Sequence, residues 1–278
     1  MSGRHKRAVT LLVGAGRMGS ALLKGWVARG IEPIAAVEPV PHADLRRFAR
    51  RHRILLRNRI EETGGLCVAA CVVALKPQIL QTEAPRLRPI AQSGALMISI
   101  AAGTGIASLR KAWGRNACIV RAMPNTPGSI GQGISALFAP RNAPARARAH
   151  AQSLLAGLGE TCWVTREELI DAVTAVSGSG PAYAFLMAES LGRAARAEGL
   201  PRRVADRLAR ATISGAGALL DADPREPADL RRDVTSPGGT TEAALKVLME
   251  NDALGKLIAE AVSAARGRAV ELRRQTEP

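Results

Sequence analysis

Apolar and polar positions follow two different rhythms along this chain. Within the first 165 residues, short runs rich in Val, Ile, Leu and Ala recur at 8–13, 33–38, 53–56, 68–75, 95–100, 117–121 and 132–138. Runs this short, and apolar rather than alternating, read as strands of a sheet covered on both faces. A helical pattern over 20–29 follows the first run, with Gly30 as its stop, and another over 144–158 follows the last; residues 159–164 finish this part with no element assigned. From residue 166 the strand-like runs cease. Helical patterns fill 168–176, 181–198, 202–220, 228–234, 240–249 and 253–274, broken at Gly199-Leu200-Pro201 and Asp223-Pro224. The expected organisation is an α/β domain with a parallel-rich sheet over 1–165 and an all-α domain over 166–278.

The loop after the first run reads Gly14-Ala15-Gly16-Arg17-Met18-Gly19. A G-x-G-x-x-G pattern carries meaning only between a strand and a helix, and here it has both. The first Gly permits the tight turn, the second admits a pyrophosphate to the backbone, and the third lets helix and strand pack closely. This marks a Rossmann-like dinucleotide-binding domain with Gly14, Ala15, Gly16, Arg17 and Met18 around the cofactor; a glycine turn without a ligand is the plain alternative. Glu38 ends the second strand, where a carboxylate bonds the ribose 2′-OH of NADH and repels the 2′-phosphate of NADPH. Arg46 and Arg47 lie close enough in sequence to offset that repulsion, so either NADPH or NADH remains open. Ligands of open α/β sheets bind at the carboxyl ends of strands. Three further strand ends are rich in Gly, Pro or small residues: Ala74-Leu75-Lys76-Pro77-Gln78, Ala101-Ala102-Gly103 and the stretch 122–128.

Two more turns stand out in the helical part: Ser177-Gly178-Ser179-Gly180-Pro181-Ala182 and Asp233-Val234-Thr235-Ser236-Pro237-Gly238-Gly239-Thr240-Thr241. Both read as helix starts, with hydroxyl residues at capping positions and Pro early in the helix. A helix start offers unpaired N–H groups and partial positive charge. Ser236, Gly238, Gly239 and Thr240 could therefore wrap a small carboxylate; two ordinary capped helices are the bland reading.

The 278 residues include only 3% aromatics, so the core must come from Ala, Val, Leu and Ile, and base-stacking platforms are scarce. The net charge of +15 raises nucleic-acid binding. The arginines are scattered and interleaved with acids, so we expect solvated helix faces and no nucleic-acid partner. Cys67, Cys71, Cys118 and Cys162 lie in apolar stretches without a Cys-x-x-Cys pair, which suggests buried free thiols. His5, His42, His52 and His150 show no metal-ligand spacing, so no metal is expected. Arg4, Lys6 and Arg7 before the first apolar run faintly suggest a signal peptide, but the run breaks at Gly14 and reads as a strand. No run is long enough to span a bilayer, and a cytoplasmic protein without membrane contact is expected.

Taken together, residues 14–18, 74–78, 98–103, 121–127, 171–183, Gly199-Leu200-Pro201-Arg202 and above all Val234-Thr235-Ser236-Pro237-Gly238-Gly239-Thr240-Thr241 resemble the pyrroline-5-carboxylate reductase family. The resemblance implies NAD(P)H-dependent reduction of 1-pyrroline-5-carboxylate to L-proline, the last step of proline biosynthesis, with an intertwined helical domain making a homodimer or an assembly of dimers. It implies cofactor contacts at Ala15, Arg17, Met18, Leu75, Lys76 and Ala102, with Ala74 and Pro77 beside them and Asn58 on the adenosine side. It implies substrate contacts at Glu167, Thr240 and Thr241. Asp233 stands where the family often has Asn, and Glu38 where members place a small hydroxyl or basic residue. No His follows His150, and a protonated imine needs no strong general acid. Thr241 is thus the candidate to hydrogen-bond the ring nitrogen. Two alternatives stay in view: a β-hydroxyacid-dehydrogenase-like enzyme, which would need a lysine on the helix over 181–198, and a non-enzymatic dinucleotide-binding or nucleic-acid-associated protein.

Overall fold

The structure is a computed structural model and describes residues 7–276. His5, Arg4, Lys6 and the outer ends of both expected domains lie outside the described residues. In chain order the elements are β1 (Val9–Val13), α1 (Arg17–Ala28), β2 (Ile34–Val37), α2 (Ala43–Arg51), β3 (Leu55–Arg57), β4 (Val68–Val73), α3 (Pro77–Glu83), α4 (Arg88–Gln92), β5 (Leu96–Ser99), α5 (Ile106–Trp113), β6 (Cys118–Met123), β7 (Gly133–Phe138), α6 (Ala145–Leu155), β8 (Gly159–Trp163), α7 (Leu169–Val173), α8 (Gly180–Ala197), α9 (Arg202–Ala222), α10 (Pro227–Asp233), α11 (Thr240–Met249) and α12 (Ala253–Thr276). The chain forms two compact units, Met1–Gly178 with Ala265–Pro278, and Ser179–Ala264.

In the first unit the eight strands make one sheet in the order β3-β2-β1-β4-β5-β6-β7-β8. Every neighbouring pair is parallel except β6 and β7. The apolar runs follow from burial on both faces. Leu12, Ala36, Val72, Ile98 and Val120 look towards a layer holding Leu22, Trp26, Leu154 and Leu155. Leu11, Val37, Cys71, Val73 and Met97 look the other way, towards Leu80, Leu87, Leu109 and Trp113. The Trp26 indole N–H donates to Leu154 O at 2.8 Å and that of Trp113 to Ala84 O at 3.1 Å, so neither ring buries an unpaired donor. Gly25, inside α1, lies against the backbone of Gly157, and a Cβ on Gly25 would collide with the Gly157 carbonyl.

Three differences from the sequence expectations concern this unit. The third strand begins later, because α2 ends at Arg51 with His52 as its C-cap, and Arg53 takes a left-handed turn (φ +53) before Ile54 N–H bonds back to Ala49 O. Residues 159–163, assigned no element, form the edge strand β8. Of the four thiols, Cys71 is buried, and desolvation pushes its thiol up to about 12, but Cys67 and Cys162 are exposed. Both exposed thiols sit at a strand start or on an edge strand, where an apolar neighbourhood in sequence does not mean cover in space.

The second unit is all helix. α8 and α9 pack as an antiparallel pair through small residues, with Gly192, Ala205 and Ala209 between them. Asp206 on α9 pairs with Arg196 on α8. No described helix is long and apolar enough to cross a membrane.

Candidate functional site

The strand order reverses at β1, which pairs with β2 on one side and β4 on the other. Ligands of open sheets bind in the crevice at such a point. Gly14 (φ +90) leaves β1 there, and its Cα face lies so close to β4 that a Cβ would sit 2.8 Å from Ala74 O and 2.9 Å from the Leu75 side chain. A Cβ on Gly19 would collide with Gly14 O, so the third glycine is what lets α1 start against the turn. Gly16 differs: a Cβ there meets nothing within 4 Å, so its face is open. Gly16 is also the N-cap of α1, with no side chain capping it and no acid in the first turn. The first N–H groups of α1 therefore point from an open, uncapped helix start, which fits a pyrophosphate.

Around this turn the structure gathers most of the sequence-predicted cofactor residues. Ala15 is buried, Arg17 exposed and Met18 half-buried. Ala74 N–H donates to Val13 O, and Ile100 N–H to Val73 O, which ties the ends of β1, β4 and β5 side by side and brings Ala74 and Leu75 to the crevice. Lys76 is the N-cap of α3 with an exposed side chain, and Pro77 is its first residue. Glu38 does more than end its strand: its Oε2 accepts from Ala15 N–H at 2.8 Å, so the carboxylate is fixed onto the glycine turn. Asn58 follows β3, and its amide donates to Pro39 O at 2.9 Å, one residue beyond Glu38.

Ala102 sits in the loop between β5 and α5. That loop meets a half-buried ion pair the sequence did not reveal. Arg121, on β6 and 2% exposed, donates to Glu167 Oε1 at 2.8 Å, and the same oxygen accepts from Ile106 N–H at 2.7 Å. Glu167 thus commits one oxygen to structure; its other oxygen makes no hydrogen bond among the described residues.

The two Gly/Ser turns turn out to be unlike each other. Residues 177–182 lead into α8, which starts at Gly180 with Ser179 at its N-cap position and Pro181 in its first turn. From α7 the chain passes through a π-helical stretch, Thr174–Gly178, and runs on into α8, with Ser177 Oγ donating back to Val173 O at 3.2 Å. Ser179 precedes α8 but caps nothing. Gly178 lies close to Met123: a Cβ there would sit 2.7 Å from the Met123 methyl and would ask that flexible side chain to move. The second turn, within the other unit, leads into α11. Gly239 N–H donates to Ser236 O at 3.0 Å across Pro237 and Gly238, whose φ is +71. Pro followed by a positive-φ Gly is the signature of a type II turn. The N-cap of α11 is Gly239 rather than a hydroxyl residue, and Glu242 Oε2 instead accepts from Gly238 N–H at 2.7 Å. Ser236, Gly238 and Thr240 are exposed, while Thr241 is half-buried with a hydroxyl that makes no bond among the described residues. Asp233, before the turn, is held with Asp223 by Arg225 at 2.8 Å each. Those bonds keep the Asp223 carboxyl below its ordinary value and raise the Arg225 guanidinium.

Comparison with known proteins adds an independent measure. Residues 167–272 match the family profile described as pyrroline-5-carboxylate reductase dimerisation. A pyrroline-5-carboxylate reductase from Pseudomonas aeruginosa is 38% identical over 95% of this chain and 96% of its own length. A solved pyrroline-5-carboxylate reductase from Coxiella burnetii superposes with a TM-score of 0.87 at 34% identity, covering 95% of this chain and 97% of that one. The Plasmodium falciparum enzyme, solved with NADP bound, superposes with a TM-score of 0.80 at 28% identity over 96% of this chain and 99% of its own. Likeness of this degree runs through the glycine turn, the sheet and the Pro-Gly turn alike, and by it the chain belongs to the pyrroline-5-carboxylate reductase family.

Proposed function

We propose that this protein reduces 1-pyrroline-5-carboxylate to L-proline with NADPH or NADH. The observation that carries the reading is the type II turn 236–239 leading into an α11 whose first N–H groups have no hydroxyl cap. Ser236, Gly238, Gly239 and Thr240 surround those donors with almost no bulk, which suits a small carboxylate. Thr241, one residue into the helix, holds the ring nitrogen through its hydroxyl. Glu167 adds its uncommitted oxygen to the substrate set. The nicotinamide, when bound, supplies a hydride to the imine carbon. The C=N π pair then becomes the lone pair on nitrogen, which already carries its proton when the imine enters as the iminium. The chain's own contribution is to bind and orient, which explains a site without a histidine.

The nucleotide lies on Gly14, Ala15, Gly16, Arg17 and Met18, with Glu38 and Asn58 on the adenosine side and Ala74, Leu75, Lys76, Pro77 and Ala102 along the strand ends. The functional division we infer is nucleotide binding over 1–165 and substrate binding with homodimerisation over 166–278. Four unpaired thiols, two of them exposed, suit a reducing cytoplasm. A β-hydroxyacid dehydrogenase would need a lysine on α8, and α8 has none. The test is an assay of NADH and NADPH oxidation with and without added pyrroline-5-carboxylate, with L-proline measured as product. Absence of turnover with both nucleotides across neutral pH overturns the reading.

A further inference from the structure

The loop 101–106 between β5 and α5 is short of polar contacts of its own. Thr104 is buried, and its hydroxyl has no hydrogen-bond partner. What holds the loop comes from far along the chain, all within the sheet unit. On one side Ile106 N–H is bound by Glu167. On the other lies the last turn of α12. Gly103 (φ +66) packs its bare Cα face onto that turn, where a Cβ would sit 3.0 Å from Leu272 Cβ. Thr276 Oγ1 reaches Gly103 O at 2.6 Å, sharing its proton with Arg273 O at 2.8 Å. Ser108 Oγ, one turn into α5, donates to Thr276 O at 2.6 Å. The turn itself is fastened by Arg273 Nε donating at 2.9 Å to Asp171 Oδ2, a carboxylate only 2% exposed.

We propose that the C-terminal turn of α12, through Thr276 and its partner Ser108, is a positioning element for the nucleotide-binding loop, fixing Gly103 and hence Ala102 in the conformation that receives the cofactor. The proposal rests on the reductase reading, in which Ala102 touches the nucleotide. Thr276 touches neither nucleotide nor substrate; it acts through Gly103. A loop fixed in advance costs less to order on binding, so losing the clamp weakens nucleotide affinity.

The experiment measures NADPH dissociation constants by fluorescence titration, together with hydrogen exchange of the loop without nucleotide, on the full chain. Thr276→Val is expected to raise the NADPH Kd about three- to tenfold, the range a single lost hydrogen bond covers, and to speed exchange over residues 101–106. Thr276→Ser, which keeps the hydroxyl, should return both to wild-type values. Ser108→Ala should show the same pattern more weakly, and carries the test if Thr276→Val does not fold. An unchanged Kd in Thr276→Val, even with a lowered melting temperature, overturns the proposal by making the turn a stability clamp only. Equal loss in Thr276→Ser also overturns it. Failure of the wild-type protein to bind NADPH strikes the reductase reading instead, so the two failures are told apart.

Discussion

In the sheet unit Trp26, Trp113, Leu12, Leu22 and Met97 are sealed from solvent. In Ser179–Ala264 the buried residues are Gly192, Ala205 and Ala209, none with a side chain larger than a methyl. The same stretch exposes Phe185 (68%), Leu208 (50%), Leu219, Leu220, Val247 and Leu257. Apolar surface on this scale does not face water in a stable protein. One unit carries its own core; the other has almost none of its own, and residues 167–272 match a family profile described as pyrroline-5-carboxylate reductase dimerisation. The glycine turn after β1 therefore stands on a well-buried sheet, whereas the Pro-Gly turn stands on helices with almost no buried side chains of their own.

The strongest way to break this contrast is to charge the open surface. Phe185→Asp with Leu208→Asp should leave a chain that sediments as a monomer or aggregates. Activity should fall by about a hundredfold or more, the outcome expected where folding and association are linked. A fully active monomer would refute the contrast. Leu22→Ala is its counterpart in the sheet unit. It should cost about 2–5 kcal/mol in urea unfolding, by the same amount at low and high protein concentration, whereas truncation in the helical unit should shift stability with concentration.

A smaller effect separates the two turns by role. Thr241→Ala should lower kcat roughly ten- to hundredfold, from a lost hydrogen bond to a charged group of about 1.5–3 kcal/mol. Thr241→Ser should restore most of it, and the NADPH Kd should not move. If Thr241→Ala turns over like wild type, the hydroxyl serves only the helix start.

Smaller again is the effect of Glu38. Its carboxylate is fixed on Ala15 N–H, and two like charges about 4 Å apart in water repel by about 1 kcal/mol. Glu38→Ser should therefore shift the kcat/KM ratio about fivefold towards NADPH, with the KM for pyrroline-5-carboxylate unchanged. A ratio moved towards NADH would mean the carboxylate does not reach the ribose. The smallest expected effect lies on α6, where burial lowers the pKa of His150 below its usual 6.5. The unfolded chain then binds the extra proton more readily, so stability is full above pH 6.5 and declines as pH falls below it. His150→Gln should flatten that part of the melting profile, at every protein concentration.

Much of this was written in local pattern. β1, β2, β4, β5 and β6 were legible because burial on both faces demands unbroken apolar runs, and the glycine turn because its spacing is dictated by contacts with β4 and α1. β8 was not, since Gly159-Glu160-Thr161-Cys162-Trp163 lies at an edge and alternates between half-buried and exposed. At 177–182 the start of α8 was legible from Ser179 and Pro181, but the π-helical stretch Thr174–Gly178 before it, with Ser177 bonding back to Val173, was not. The Arg121–Glu167 pair and the Thr276–Gly103 bond join residues 46 and 173 apart in sequence. No window of local periodicity reaches that far.

The meeting of Gly25 with Gly157 bears on how this protein could be engineered. Exchanging a mid-helix glycine for alanine is a standard route to a more heat-resistant enzyme, worth up to about 1 kcal/mol. Applied at Gly25 the recipe reverses sign, because the added methyl would drive α1 off the Gly157 carbonyl and drag the glycine turn with it. At Gly157 the same methyl would lie 3.2–3.4 Å from the Gly25 backbone and the Trp26 ring, a tight fit without the outright collision. A library that varies both positions should thus return glycine at 25 far more strictly than at 157.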